Sequence, residues 1–442
     1  MKKKLILVLL MFVALFTLAG CGNEDDDSSS RRSKKDKQSE TVEEETTEET
    51  PKEKKKQKEN RTGGVEVNLY NYSEFTDGVA LLYAFQNSGL PEGKHFIDDD
   101  LNIIYTYDFV TDGEKVPYVK ALNKDEKGNI NVYYKDGSIV FSYKPNQYKK
   151  VLLTNHGYLI THQIDETYNN SEEKIGVYSL KDKKYIVEPS SEYNIMEEYG
   201  TDMYKLNYEK EIYFNSRLGK VVKFDQDIYD KFVDGYSIDQ DTDHLLICKD
   251  DGTCKKIKYS SERSFLNTRD YVSNGYAVDI NNGAENTFRI INLDSGSVTD
   301  ISDKFYRVTN RPKFDKKGYA LVLSANQSGT NYYTVINTKG EIQFNPVKMS
   351  SAYSFLGNYD ETLNTINLVP NLSHGYIILD GNGEVPSEIR DIKNNLVLQS
   401  KKGERFEAVI ADDIAVVNHN KAIAEFHYID LKGNKLLIYP KK

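Results

Sequence analysis

The chain has 442 residues, of which 38% are apolar and 12% aromatic, with 33 Tyr, 18 Phe and no Trp. That is enough for a core and excludes a chain disordered throughout. The formal net charge is −10, more acidic still once Lys2, Lys3 and Lys4 are set aside, so nucleic acid is excluded as a partner because a phosphate-binding surface needs a basic excess to release counterions.

Lys2, Lys3 and Lys4 precede an apolar run from Leu5 to Gly20, the pattern of an export signal. At about 16 residues the run is short of the roughly 20 that span a bilayer. It ends in Leu18, Ala19, Gly20 and Cys21, which resembles the lipobox of bacterial lipoproteins. The resemblance implies that 1–20 is a signal peptide and that cleavage follows diacylglyceryl transfer to the Cys21 thiol, with palmitate among the acyl chains. Two chains would hold a protein where one releases it, since each buried methylene contributes about 0.8 kcal/mol. The expected location is thus the outer face of a cell membrane, that of a Gram-positive bacterium.

Residues 21–64 form the next expected segment, a lipidated cysteine followed by a linker. From Gly22 to Gly64 it holds 11 Lys or Arg and 13 Asp or Glu and almost nothing apolar. Such a stretch cannot bury enough surface to offset its ordering entropy. Its expected reach is about 35 Å as a flexible coil. The cluster Lys52 to Lys58 could instead dock on an anionic polymer, though charge runs usually remain solvated.

Beyond Val65 one unit recurs. Its opening reads FTDGVALLYAF at 75–85, FVDGYSIDQD at 232–241, YVSNGYAVDIN at 271–281, KKGYALVLSA at 316–325 and SHGYIILDGNG at 373–383. A hairpin follows, as in INVYYKDGSIVF at 130–141, FRIINLDSGSV at 288–298 and YIDLKGNKLLI at 428–438. Aromatic and β-branched residues alternating with polar ones around such turns predict antiparallel strands. Turn centres near 99, 137, 182, 219, 252, 296, 340, 383 and 433 recur about every 42 residues, the length of a four-stranded propeller blade. The fold expected for 65–442 is therefore all-β, a β-propeller of seven or eight blades, with an open stack of hairpin repeats as the alternative. In the ring, VEVNLY at 65–70 would complete the last blade beside LLIYP at 436–440.

These units resemble the WG-repeat family of bacterial surface and secreted proteins. Phe75, Asp77, Gly78 and Ala80 match the family's opening, as do Phe232, Asp234 and Gly235; Ile336, Asn337 and Gly340 match its hairpin. Gly176, Val177 and Tyr178 stand where its Trp-Gly strand begins, but Ile175 occupies the tryptophan position. The likeness covers most of 75–438 and implies an interaction module.

Few residues carry a chemical signature. Cys248 and Cys254 bracket a short turn, so they face each other as a cross-strand disulfide, which an exported protein favours over two free thiols. Asp239, Asp241 and Asp243 could begin a calcium loop, yet its sixth place is His244 where glycine is needed and its twelfth is Asp250 in place of glutamate, which favours solvated carboxylates. His156 and His162 share a face of one strand without a third ligand nearby, the pattern of structural histidines. No metal or cofactor is expected, and serine elbows, phosphate-cradling loops and HExxH are missing. The leading functional expectation is a tethered binding module for a cell-wall glycan or an exported protein. A hydrolase using paired carboxylates at the propeller mouth and an envelope scaffold with a flat apolar patch are the alternatives.

Overall fold

Two-residue turns start the hairpins. Asp77–Gly78, Asp234–Gly235, Asn274–Gly275 and His374–Gly375 each place consecutive residues at positive φ, 51° and 71° in the first, the arrangement whose twist matches paired strands. Thr76 and Val79 exchange main-chain hydrogen bonds of 2.8 and 3.0 Å across the first of these turns. Later turns rest on acidic side chains. Asp98 accepts from the N–H of Asp100 and Asn102, Asp391 from Lys393 and Asn395, and Asp430 from Lys432 and Asn434; a short carboxylate thereby substitutes for main-chain partners at the bend.

The computed structural model describes residues 63–440 apart from 68, 85–87, 168–169, 208, 241–242, 260–271, 283–285, 356, 361–364, 371, 373, 382–384 and 420–424. The leader, Cys21 and the linker up to residue 62 lie outside the described residues. Among those described, no helix is long and apolar enough to cross a membrane.

The turns fold the chain into successive antiparallel sheets at 69–107, 111–143, 150–190, 197–223, 236–258, 272–300, 307–348, 354–399 and 405–430. The eighth carries an added hairpin, Gly357–Asp360 with Thr365–Pro370. Alternate side chains leave opposite faces of a strand, and here both faces are apolar. In Tyr376–Asp380, Ile377 and Leu379 pack on Leu321, Tyr333 and Val335 of the preceding sheet, whereas Ile378 packs on Phe406, Val409 and Val417 of the next. In Ile212–Asn215, Ile212 and Phe214 face one neighbour and Tyr213 the other. Each such side chain contributes about 1.5–3 kcal/mol when fully buried.

A cluster of this kind lies at every junction between consecutive sheets, and one more joins the last sheet to the first: Ile410, Ile414, Val416 and Tyr428 pack on Val67, Leu69, Leu82 and Ile97. That junction is also hydrogen-bonded. Leu69 pairs with Phe426, Val65 bridges Ile438, and the N–H of Ile103 donates to the carbonyl of Tyr439 at 2.8 Å. The fourth strand position of the last blade is thus filled jointly by 435–438 and 65–69, and the sheets form a closed ring.

The domain is a β-propeller of nine blades, which corrects the expected seven or eight and removes the open stack. Usual propeller sizes end near eight, but nine blade sheets each bury apolar side chains against both neighbours, so none can stand outside the ring. The turn centres at 99, 137, 182, 219, 252, 296, 340 and 433 fall at the last hairpin of a blade. In the eighth blade that hairpin is 391–395, one turn beyond the expected centre near 383, which lies outside the described residues.

Candidate functional site

Cys248 and Cys254 stand directly opposite in the hairpin His244–Lys249 and Cys254–Lys258, with Cα atoms 4.1 Å apart, and are joined as a disulfide. The N–H of Lys249 donates to the carbonyl of Thr253 at 2.8 Å inside them. Cys248 is buried at the junction of the fourth and fifth blades beside Tyr213, Phe224 and Phe232, which makes the pair part of the packing.

Of the aspartate string, Asp239 and Asp243 are among the described residues. Asp239 pairs with Leu246 across a regular hairpin, and Asp243 contacts Nδ1 of the adjacent His244 at 2.7 Å. Asp241 lies outside the described residues. Asp250, at the twelfth place, is buried and accepts from the Arg217 guanidinium at 2.7 and 2.6 Å. His156 and His162 take separate carboxylates, Asp202 at 3.3 Å and Glu173 at 2.9 Å.

Two open clefts lie at early blade junctions. One, of about 570 Å³ between the first and second blades, is lined by Tyr83, Glu92, Lys94, Tyr107, Asp108 and Phe109. Lys94 there pairs with Glu114, which also accepts from the Thr111 hydroxyl at 2.8 Å. The other, of about 360 Å³ between the second and third, includes Asp112, Lys120, Tyr143, Tyr148 and Lys149. Lys120 is buried, donates to the carbonyl of Val151 at 2.6 Å and pairs with Asp112 at 2.6 Å. Burial, with the Asp112 charge added, pushes the Tyr143 phenol up to about 12. Each cleft therefore combines aromatic faces with a lysine already held by acid.

A third group escaped the sequence reading. Glu404, His419 and His427 each offer a ligand-type atom, all within 4.8 Å of one another. In the ninth blade Glu404 immediately precedes the strand Arg405–Ala411, His419 immediately follows Ile414–Asn418, and His427 lies in Phe426–Asp430. Val417 pairs with His427, which puts His419, two positions on, on the same face, and Arg405 pairs with Asn418, which brings Glu404 level with His419. Nδ1 of His419 is 3.3 Å from Glu404 Oε1. The two imidazoles stack with centroids 3.9 Å apart and planes 11° from parallel. His427 is 4% exposed, and its buried Nδ1 has no hydrogen-bond partner among the described residues. An unmade bond of this kind costs about 1–3 kcal/mol. Burial, followed by the charges of His419 and Lys435, pushes the His427 imidazole down to about 4. Glu404 and His427 are 23 positions apart in sequence, and only the strand pairing brings them together.

No family profile matches the chain, and no curated protein matches it in sequence. Among solved structures it is similar to a dihydro-heme d1 dehydrogenase, NirN, in complex with DHE, at 12% identity over 85% of this chain and 75% of that one, with a TM-score of 0.31. It is similar to a post-proline cleaving enzyme from Rickettsia typhi at 11% identity over 74% of this chain and 52% of that one, with a TM-score of 0.33. A third is Sqt1 from Chaetomium thermophilum, at 8% identity, 83% and 97% coverage and a TM-score of 0.30. Likeness at this level carries no argument about activity, and the class is set by the sheets themselves, a nine-bladed all-β propeller.

Proposed function

We propose that the chain is a binding module held at the outer face of a cell membrane by lipid on Cys21, its propeller carried on the charged linker. The linker lets the domain sample a volume away from the lipid, and the ring presents its clefts without needing to rearrange. The observation that supports this reading best is the make-up of the two clefts, where Tyr83, Tyr107 and Phe109, or Tyr143 and Tyr148, line the wall beside the Lys94–Glu114 and Lys120–Asp112 pairs. Tyrosine offers a flat apolar face and a polar rim, which suits a sugar ring or an extended segment of an exported protein. The likeness to WG-repeat proteins points the same way.

The test is a pull-down with purified cell-wall fragments and with secreted proteins, comparing the whole chain with residues 21–64 alone. Enrichment by the whole chain, lowered by Tyr83→Ala or Tyr148→Ala, supports the reading. Recovery no greater than with the linker alone removes it.

A further inference from the structure

The geometry points to a divalent transition-metal site in the ninth blade, with Glu404, His419 and His427 as its ligands. Glu404 just before the strand Arg405–Ala411, His419 just after Ile414–Asn418 and His427 within Phe426–Asp430 meet at the same end of the sheet, and the atoms they offer lie within 4.8 Å of one another. The second observation concerns the hydrogen bonding of one member, not the spacing of the three. His427 is 4% exposed, and its Nδ1 is buried with no hydrogen-bond partner among the described residues. A neutral imidazole nitrogen left unbonded in the interior is costly for folding, and metal coordination is one way to satisfy it.

The donor set selects the ion. Two imidazoles and one carboxylate suit zinc and the neighbouring first-row divalent ions, whereas calcium and magnesium require a shell of oxygens. Lys435, itself paired with Glu66, lies close enough to act on His427, as does Lys401. Two lysines beside the group offset the charge of Glu404 and Glu66 and make the place unfavourable for a hard cation. Three protein ligands leave one tetrahedral position open, so the bound ion would keep a place for water or for a donor atom of a ligand. The stacked rings, 11° from parallel, would have to splay for their in-plane lone pairs to converge on one ion. His419 and Glu404, with side chains 29% and 18% exposed, have more room for that movement than His427.

The experiment uses the tag-free chain, stripped with EDTA and titrated calorimetrically with zinc chloride, while cobalt chloride is followed by visible absorption. The expected result is one zinc per chain, a cobalt spectrum of tetrahedral intensity, and a zinc-dependent rise in Tm. Glu404→Gln and His419→Gln are each expected to weaken zinc at least tenfold, and each variant's unfolding transition without zinc serves as its folding check. His156→Gln and His162→Gln should bind as the parent does. Failure to take up one equivalent overturns the proposal, as does zinc affinity unchanged in both Glu404→Gln and His419→Gln. Equal retention of calcium would overturn the assignment of the ion.

Discussion

Val65 and Ile438 exchange two main-chain hydrogen bonds, Val65 N–H to Ile438 carbonyl at 2.8 Å and the reverse at 3.0 Å. These residues lie near opposite ends of the described chain, and their pairing completes a strand that neither end forms alone. In a repeat fold each unit is stabilised chiefly by its neighbours, and this contact completes the outer strand position of the last blade.

Ile438 is 1% exposed within the closing cluster, whereas Leu437 beside it is 37% exposed. Ile438→Ala is expected to lower stability by about 2–4 kcal/mol, and Leu437→Ala by no more than about 0.5 kcal/mol. Urea titrations of the two variants provide the comparison; equal midpoints would argue that the ring is not fastened there.

Gly78 and Gly235 occupy the same place in two blade openings, with φ of 71° and 84°. A Cβ at 78 would meet nothing within 4 Å, but one at 235 would lie 3.2 Å from Asp250 Oδ2, the carboxylate held by Arg217. Gly78→Ala is expected to cost about 1 kcal/mol from backbone strain. Gly235→Ala should cost more, since it also presses on the buried Asp250 carboxylate. Thermal unfolding of the two variants ranks them, and the reverse order would contradict this account.

The strands were legible because both faces of each blade are buried, which gathers β-branched and aromatic residues into short apolar runs such as VALLYA and YALVLSA, and the Asp-Gly and Asn-Gly turns marked where hairpins reverse. The number of blades was legible too, in nine turn centres, but an expectation of ordinary propeller size displaced it. One turn was misplaced because the eighth blade carries an added hairpin, so a regular spacing from the turn near 340 fell on DGNG at 380–383 and not on 391–395. Glu404, His419 and His427 were not legible. Strand pairing brings them together across a chain separation that no local motif spans, and His427 sits in FHYID, where it reads as an ordinary strand residue. Ile175 illustrates the converse. It stands where the resemblance led one to expect tryptophan, and it is 1% exposed in the cluster joining the third and fourth blades, a packing position filled by an aliphatic side chain.

The disulfide closes a loop of separation six, and a loop this short leaves little chain entropy to remove, about 2 kcal/mol. Reduction is expected to lower Tm modestly and leave the ring folded, because Cys248 remains buried among aromatic rings. Mass spectrometry after iodoacetamide treatment of the denatured chain should find Cys248 and Cys254 unmodified before reduction and both alkylated after it. Alkylation of either without reductant would show that the bond is not maintained.

His95 is fully buried, with Nδ1 2.8 Å from the Thr106 hydroxyl and Nε2 3.0 Å from the carbonyl of Pro91. Burial holds its imidazole below the ordinary histidine range, against the raising effect of the Pro91 carbonyl. Because the folded state resists the proton more than the unfolded chain does, stability is full above the ordinary range and falls as pH drops below about 6.5, by at most roughly 1.4 kcal/mol per pH unit for this group. His427, pushed down to about 4, acts with the same sign. Urea midpoints between pH 7.5 and 5 (about the span over which histidine titrates) should decline in the parent and decline less steeply in His95→Gln. Identical slopes would remove His95 as a source of acid sensitivity.

Attachment through Cys21 is the remaining proposal, and it separates cleanly from a retained signal anchor. If the thiol carries the lipid, Cys21→Ala abolishes both cleavage and acylation, leaving an uncleaved precursor that runs larger on a gel and takes up no alkyne-tagged palmitate. A mature chain holding two or three acyl chains stays with the membrane pellet through washes at high salt, since burial of methylenes is insensitive to charge screening. A chain held by the basic cluster Lys52 to Lys58 would be released by the same washes. Labelled palmitate on the parent, its loss in Cys21→Ala and pelleting of the parent that resists salt together support the lipid anchor; salt-released, unlabelled parent protein would replace it with electrostatic adsorption.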